Sequence, residues 1–186
     1  MAPTAVAPPP TAARLRAALL TAADLPGYGF DDPIEHSYGV GDFADICATL
    51  RGKPAAGAKV PTAQVALLRS KTGWPIVEIL AATGSNKALT MVAGIAEAPR
   101  KCPAMALGEL GNPSVTRVEV RTLEVPRVGD AAAGLRATYD GAGGATELVA
   151  FAHGDVFAVI AGMSNLEPAE RTRIVEKAAS KLKPAR

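Results

Sequence analysis

At 186 residues, 48% hydrophobic and 20% charged, the chain is long enough for one domain with a sizeable core and too short for two comfortable ones. A net charge of +2 and an aromatic content of 4% argue against an obligate nucleic-acid surface, which needs a basic footprint and stacking platforms. No apolar run approaches the ~20 residues that span a bilayer. The best candidate, Ala17–Ala23, is stopped by Asp24 and Pro26 and lacks a signal-peptide cleavage site.

Met1-Ala2-Pro3 reads as an artificial start on a trimmed chain, which would hide any export signal. Residues 1–10, Pro-rich from Ala2 to Pro10, are expected to form a disordered or polyproline-like stem, and 11–186 a single domain. The first helix is expected over Thr11–Leu20, with Leu15, Leu19 and Leu20 inward and Arg14 and Arg16 in water. Pro26 to Val40 is too rich in Gly, Pro and aromatics for a regular element. A second helix fits Asp42–Arg51, capped by Asp42 and stopped by Gly52, with Phe43, Ile46, Cys47 and Leu50 on one face. After a loop at Lys53–Gly57, strands over Val60–Ser70 and Pro75–Thr83 flank the turn Lys71-Thr72-Gly73-Trp74. Ser85 can cap a third helix, Asn86 to Ala96, with Leu89, Val92 and Ile95 inward and a break before Pro99.

Alternation is clearer in the second half. Val118 and Val120 point one way in Val115–Val125, and Arg117, Glu119 and Arg121 the other. Ala132–Tyr139 alternates likewise, and Asp140–Gly144 is a strong turn signal. Thr146–His153 and Val156–Met163 pair about His153-Gly154-Asp155. A last helix is expected over Pro168–Leu182, burying Ile174, Val175, Ala178 and Leu182. Consecutive hairpins without a βαβ alternation predict an α+β fold. Its antiparallel sheet has about six strands, is covered by helices on one face, and follows the order ααββαββββα.

Charge is unevenly placed. Between Ala17 and Leu50 there is no Lys or Arg, while Arg171 to Arg186 is mostly basic, which reads as two solvated faces of opposite sign. Cys47 and Cys102 suit one disulfide, which would imply an oxidising compartment; two buried free thiols are the alternative. Two cysteines cannot build a structural zinc site unaided. Gly162-Met163-Ser164-Asn165 lacks the second glycine of a hydrolase elbow, and no Gly-rich phosphate loop is present. His36 and His153 have no metal spacing, and Asp31, Asp32 and Glu35 do not match a calcium loop. No catalytic residue, metal ligand or cofactor is therefore assigned.

Gly27 to Tyr38 is the best candidate for function, because irregular segments held over a rigid sheet often line clefts. Tyr28, Phe30 and Tyr38 are expected to rim such a cleft, with Trp74 a secondary candidate at a hairpin end. The competing reading makes these aromatics a plug at the core edge. Arg117 and Arg121, on one strand face with Glu119 between them, could grip an anion, although a solvated charge ladder is the favoured reading.

Leu19-Leu20-Thr21-Ala22-Ala23-Asp24-Leu25-Pro26 resembles the opening of the actinobacterial extracytoplasmic sensor-type domain, found on mycobacterial Ser/Thr receptor kinases and related secreted lipoproteins. The placing of Cys47 and Cys102, the late hairpins and the closing basic helix are also similar to that family, over about Thr11 to Lys183. Members often carry a second disulfide, which this chain cannot form. The resemblance implies a helix-backed antiparallel sheet, a ligand-sized cleft and no established enzyme activity.

Three function classes follow. The leading one is a non-catalytic extracytoplasmic ligand-binding or sensor module, secreted or tethered through its stem. Its partner would be a small molecule or cell-envelope ligand, with no nucleic acid and a membrane only through an anchor outside this sequence. Oligomeric state stays open. The runner-up is a small cofactorless enzyme, isomerase- or cyclase-like, with an apolar pocket and His36 or an acid as base. The third is an interaction protein using the face around Arg117 and Arg121.

Overall fold

Ile76–Ala82 and Val156–Ala161 are nearly unbroken apolar runs, and each forms a central strand with neighbours on both sides. The computed structural model describes residues 10–30, 43, 45–50, 60–69, 75–108, 115–140 and 144–182. Its strands are β1 (Gly29–Phe30), β2 (Thr62–Leu68), β3 (Ile76–Ala82), β4 (Ala104–Gly108), β5 (Val115–Leu123), β6 (Ala131–Tyr139), β7 (Ala145–His153) and β8 (Val156–Ala161). The helices among the described residues are α1 (Ala12–Ala18), α2 (Ile46–Leu50), α3 (Ser85–Lys101) and α4 (Pro168–Leu182).

The eight strands among the described residues join one antiparallel sheet in the order β1-β2-β3-β8-β7-β6-β5-β4. The β2–β3 hairpin starts it, α3 carries the chain to the far edge, and the meander β4 to β8 returns until β8 pairs with β3. The class is α+β, and the expected helices and six strands occur in the expected order. Two short strands, β1 and β4, extend the opposite edges.

The expectation of helices on one face is corrected. Strands β3, β7 and β8 carry apolar side chains at both parities, so both sheet faces need cover. On one face Phe43, Ile46, Val92 and Ile95 of the α2–α3 side meet Val77, Ile79, Leu135 and Phe157. On the other, Leu15 of α1, Leu20 and Leu25 just after it, and Ile174 and Val175 of α4 meet Leu80, Phe151 and Ile160. Beyond the reach of α4, β5 leaves Arg117, Glu119 and Arg121 exposed while Val118 and Val120 stay in the first core.

Helix α3 departs from expectation in three ways. Ser85 does not cap it; the Asp155 carboxylate, from the β7–β8 turn, accepts the Ser85 N–H at 3.0 Å, so the cap is long-range. The helix continues through Pro99, whose missing N–H falls in the last turn, and closes with Cys102 N–H donating to the Ala98 carbonyl at 2.8 Å. Leu89 is 40% exposed, because the buried stripe runs through Ala88, Met91, Val92, Ile95 and Ala98. Helix α4 has the expected bounds, with Ile174, Val175 and Ala178 buried. Thr11 caps α1 by accepting the Arg14 N–H.

Cys47 in α2 and Cys102 just after α3 form a disulfide, with Cα atoms 6.0 Å apart and a sequence separation of 55. The bridge pins the second helix to the segment after the third. The stem up to residue 9, the Asp42 cap, the 52–57 loop and the 71–74 turn lie outside the described residues.

Candidate functional site

Tyr28 is only 7% exposed and belongs to the α1–α4 core. Its hydroxyl donates to Glu170 Oε1 at 3.1 Å, and Glu170 Oε2 accepts from Arg69 at 2.9 Å. Burial, then the Glu170 carboxylate, raise the Tyr28 phenol above its ordinary value, so it remains a protonated donor. Tyr28 thus packs at the core edge with its hydroxyl held by Glu170. Phe30 lies in β1 with its side chain outside the described residues, as are Tyr38, Trp74, His36, Asp31, Asp32 and Glu35 in full.

Arg117 and Arg121 sit on the open face of β5, and Arg121 pairs with Glu119 at 2.8 Å. Arg121 stands directly across from Arg136 of β6, which in turn faces Glu147 of β7. Like charges in register repel, so each arginine being answered by its own carboxylate matters. The result is an exposed charge ladder on the open face of β5 and β6.

Among the described residues two carboxylates are buried. Glu147, 2% exposed, accepts from Arg136 at 3.2 Å through Oε1 and from Arg171 of α4 at 2.6 Å through Oε2. Glu78, 1% exposed, accepts the Leu20 N–H at 2.6 Å through Oε2, while Oε1 has no hydrogen-bond partner among the described residues. Burial pushes the Glu78 carboxyl up to about 7, against the opposing pull of the Leu20 N–H and Lys181; Asp24 adds to the rise. Asp24 itself is clamped to α4 by Lys177, at 3.2 Å, and Lys181. Burial alone would raise the Asp24 carboxyl, but hydrogen bonds from Lys181, Thr21 and Lys177 hold it far below the usual carboxylate range.

These two acids act in opposite pH windows. Glu78 holds its proton more tightly folded than unfolded. Its contribution is therefore complete below its ordinary value of 4.5 and lost as pH rises through about 7. The loss should reach roughly 3 kcal/mol above that window. Asp24 contributes above its ordinary 3.8 and loses that contribution as pH falls below it. Urea unfolding of Glu78→Gln should show a flattened profile between about pH 5 and 8, with the variant the more stable protein at the alkaline end. An unchanged slope would show that Glu78 is hydrated.

One cleft lies at the sheet end where β6, β7 and the segment after β8 meet. Gly162, at φ +86°, turns the chain where an added Cβ would fall 2.1 Å from the Pro75 carbonyl oxygen, so only glycine fits without backbone movement. Met163 then drops fully into the second core, and Leu166 packs against that core. Leu166 N–H donates to the Met163 carbonyl at 3.1 Å, closing a turn whose corners are Ser164 and Asn165. Opposite, Tyr139 N–H donates to the Gly144 carbonyl at 2.9 Å at the β6–β7 hairpin end. Alternation puts Tyr139 and Thr146 on the α2–α3 face, diagonal to each other, and Glu147 on the other face.

Tyr139, Thr146, Ser164, Asn165 and the backbone of Gly144 and Gly162 line a cleft of about 380 Å³. That is the small end of the range for ligand sites. Among its described lining residues there is no carboxylate, imidazole, amine or guanidinium. The four polar side chains make no hydrogen bond within the described protein, so their donors and acceptors are free to meet a ligand. Sequence reasoning passed over these residues. Ser164 and Asn165 drew notice only as a failed hydrolase elbow, and the available signal was a turn dipeptide bracketed by the apolar anchors Met163 and Leu166.

Among the described residues there is no group of three or more His, Cys, Asp or Glu able to hold a metal ion, and no helix long and apolar enough to cross a membrane. The fold and the cleft define a disulfide-bridged α+β domain with a pocket at one sheet end whose described lining is uncharged. Compared with protein-family models, curated proteins and solved structures, the chain finds no match in any of the three.

Proposed function

We propose that the chain is a non-catalytic ligand-binding module of an extracytoplasmic compartment, seating a small molecule in the cleft between Tyr139, Thr146, Ser164 and Asn165. The observation that carries this reading is the cleft itself: unpaired polar side chains converge on it from strand ends and a turn anchored at both sides in the core. Groups held this way lose little freedom when a ligand arrives, which favours binding. The enzyme alternative needs a side chain that takes or gives a proton near neutral pH. Among the described residues, the cleft's lining contains no carboxylate, imidazole or amine for that role. The Cys47–Cys102 bridge supports an oxidising compartment. The resemblance of Leu19–Pro26 to the actinobacterial sensor-type opening supports the same reading, with the Pro-rich stretch as a tether.

A fragment library titrated into nitrogen-15-labelled protein tests the proposal. Binders should shift the amides of residues 144–146 and 162–165 and be recovered unchanged by mass spectrometry. Shifts confined to other regions would overturn the site, and conversion of a bound fragment to product would overturn the non-catalytic role.

A further inference from the structure

We infer that the cleft selects a neutral, polyhydroxylated small molecule, a sugar ring or pair of rings, over anionic, cationic or purely apolar ligands. This rests on the binding-module reading above and adds the ligand's chemical class.

The argument is one of complementarity. Anionic ligands call for a cation or a cluster of N–H donors. The arginines close in sequence and register, Arg136 and Arg171, point to the other face of the sheet, where Glu147 occupies both of them. Cationic ligands call for a carboxylate, and none lines the cleft among the described residues. A wholly apolar guest would dehydrate three hydroxyls and an amide without replacing their water, which disfavours it. What remains is a guest that presents hydroxyls to hydroxyls and an amide while offering a C–H face to an aromatic ring. Hydroxyl groups both donate and accept, and the Asn165 amide does each at a separate atom. Tyr139 supplies the ring, half-buried at the strand end and packed against the first core, so its plane is held before a ligand arrives.

Position reinforces chemistry. Thr146 and Tyr139 are fixed by the register of β6 and β7, and Ser164 and Asn165 by the Met163–Leu166 turn. Two rigid walls bearing neutral polar groups can read the spacing of ring hydroxyls.

The test uses the same amide signals with defined probes: glucose, maltose and cellobiose as neutral sugars, glucuronate and glucose 6-phosphate as anionic ones, and 1-octanol as the apolar guest. At least one neutral sugar should shift the amides of Thr146, Ser164 and Asn165. Each anionic probe should bind the same place at least about tenfold more weakly, a difference of one uncompensated polar contact. Thr146→Val, which keeps shape, and Asn165→Ala, on an exposed turn, should each weaken that sugar by about tenfold while the remaining spectrum stays native. Tyr139→Phe, which keeps the ring, should weaken it less than Tyr139→Ala. If octanol or glucuronate shifts the cleft amides and no neutral sugar does, the inferred class is wrong while the cleft remains a binding site. Neutral sugars that bind without sensitivity to Thr146→Val and Asn165→Ala would also overturn it. If no probe and no library fragment reaches the cleft, the binding-module reading falls as well.

Discussion

Replacing Arg171 with leucine should lower the stability of the folded protein by about 3 kcal/mol, toward the small end of what breaking a buried ion pair costs. Arg171 comes from α4 and reaches Glu147 in β7, one of two buried carboxylates among the described residues. Removing the guanidinium leaves Glu147 with only the half-exposed Arg136 as partner. The charge then has to be rehydrated by opening the α4–sheet contact or left poorly compensated in place. Residual pairing with Arg136 keeps the expected loss from reaching the upper end of the range. Removing both charges should be milder, because apolar replacements of a buried pair are often neutral. Arg171→Leu combined with Glu147→Leu should therefore recover much of the loss, and a urea-unfolding double-mutant cycle would read the coupling directly. A single-variant loss below about 1 kcal/mol would mean that Glu147 finds water in the folded state.

Local signals carried most of the element order. Period-two alternation in β5 and β6 separated Val118 and Val120 from Arg117 and Arg121. The Gly154 turn placed the β7–β8 hairpin, and Ile174, Val175 and Ala178 marked the buried stripe of α4. Two-sided cover was also legible, in the unbroken apolar runs of Ile76–Ala82 and Val156–Ala161, but a single-face reading of hairpins passed it over. Long-range pairings were not legible. That Asp155 caps α3, that Leu20 N–H meets Glu78 across 58 residues of sequence, and that Tyr28 meets Glu170 across 142 are set by how the sheet closes. The cleft fell in the same class. Its four polar side chains come from a strand end, a strand start and a turn, and although the hairpins were legible, nothing in the local spacing reveals that these groups line one cleft. Aromatic density pointed instead to Tyr28, whose ring the α1–α4 core absorbs.

Loss of the disulfide should have the largest effect of all. Cys47 and Cys102 are separated by 55 residues, and in the chain-entropy model closing a loop of that length removes about 4 kcal/mol of unfolded-state entropy. There is a local reason to expect the loss to be felt in full. Helix α2, at five residues, is far too short to hold its own structure, so its place on the sheet depends on the bridge and on packing. That packing includes Phe43, whose ring centroid lies 6.1 Å from that of Phe157. Cys47→Ala with Cys102→Ala should lower the melting temperature by on the order of 10 °C. Hydrogen exchange should accelerate first at residues 45–50, while the central strands β7 and β8 keep their protection. Mass measurement of air-purified native protein, with and without reduction before alkylation, checks the premise: neither thiol should label until a reductant is added. Two freely labelled thiols in folded protein would remove the bridge, and with it the argument for an oxidising compartment.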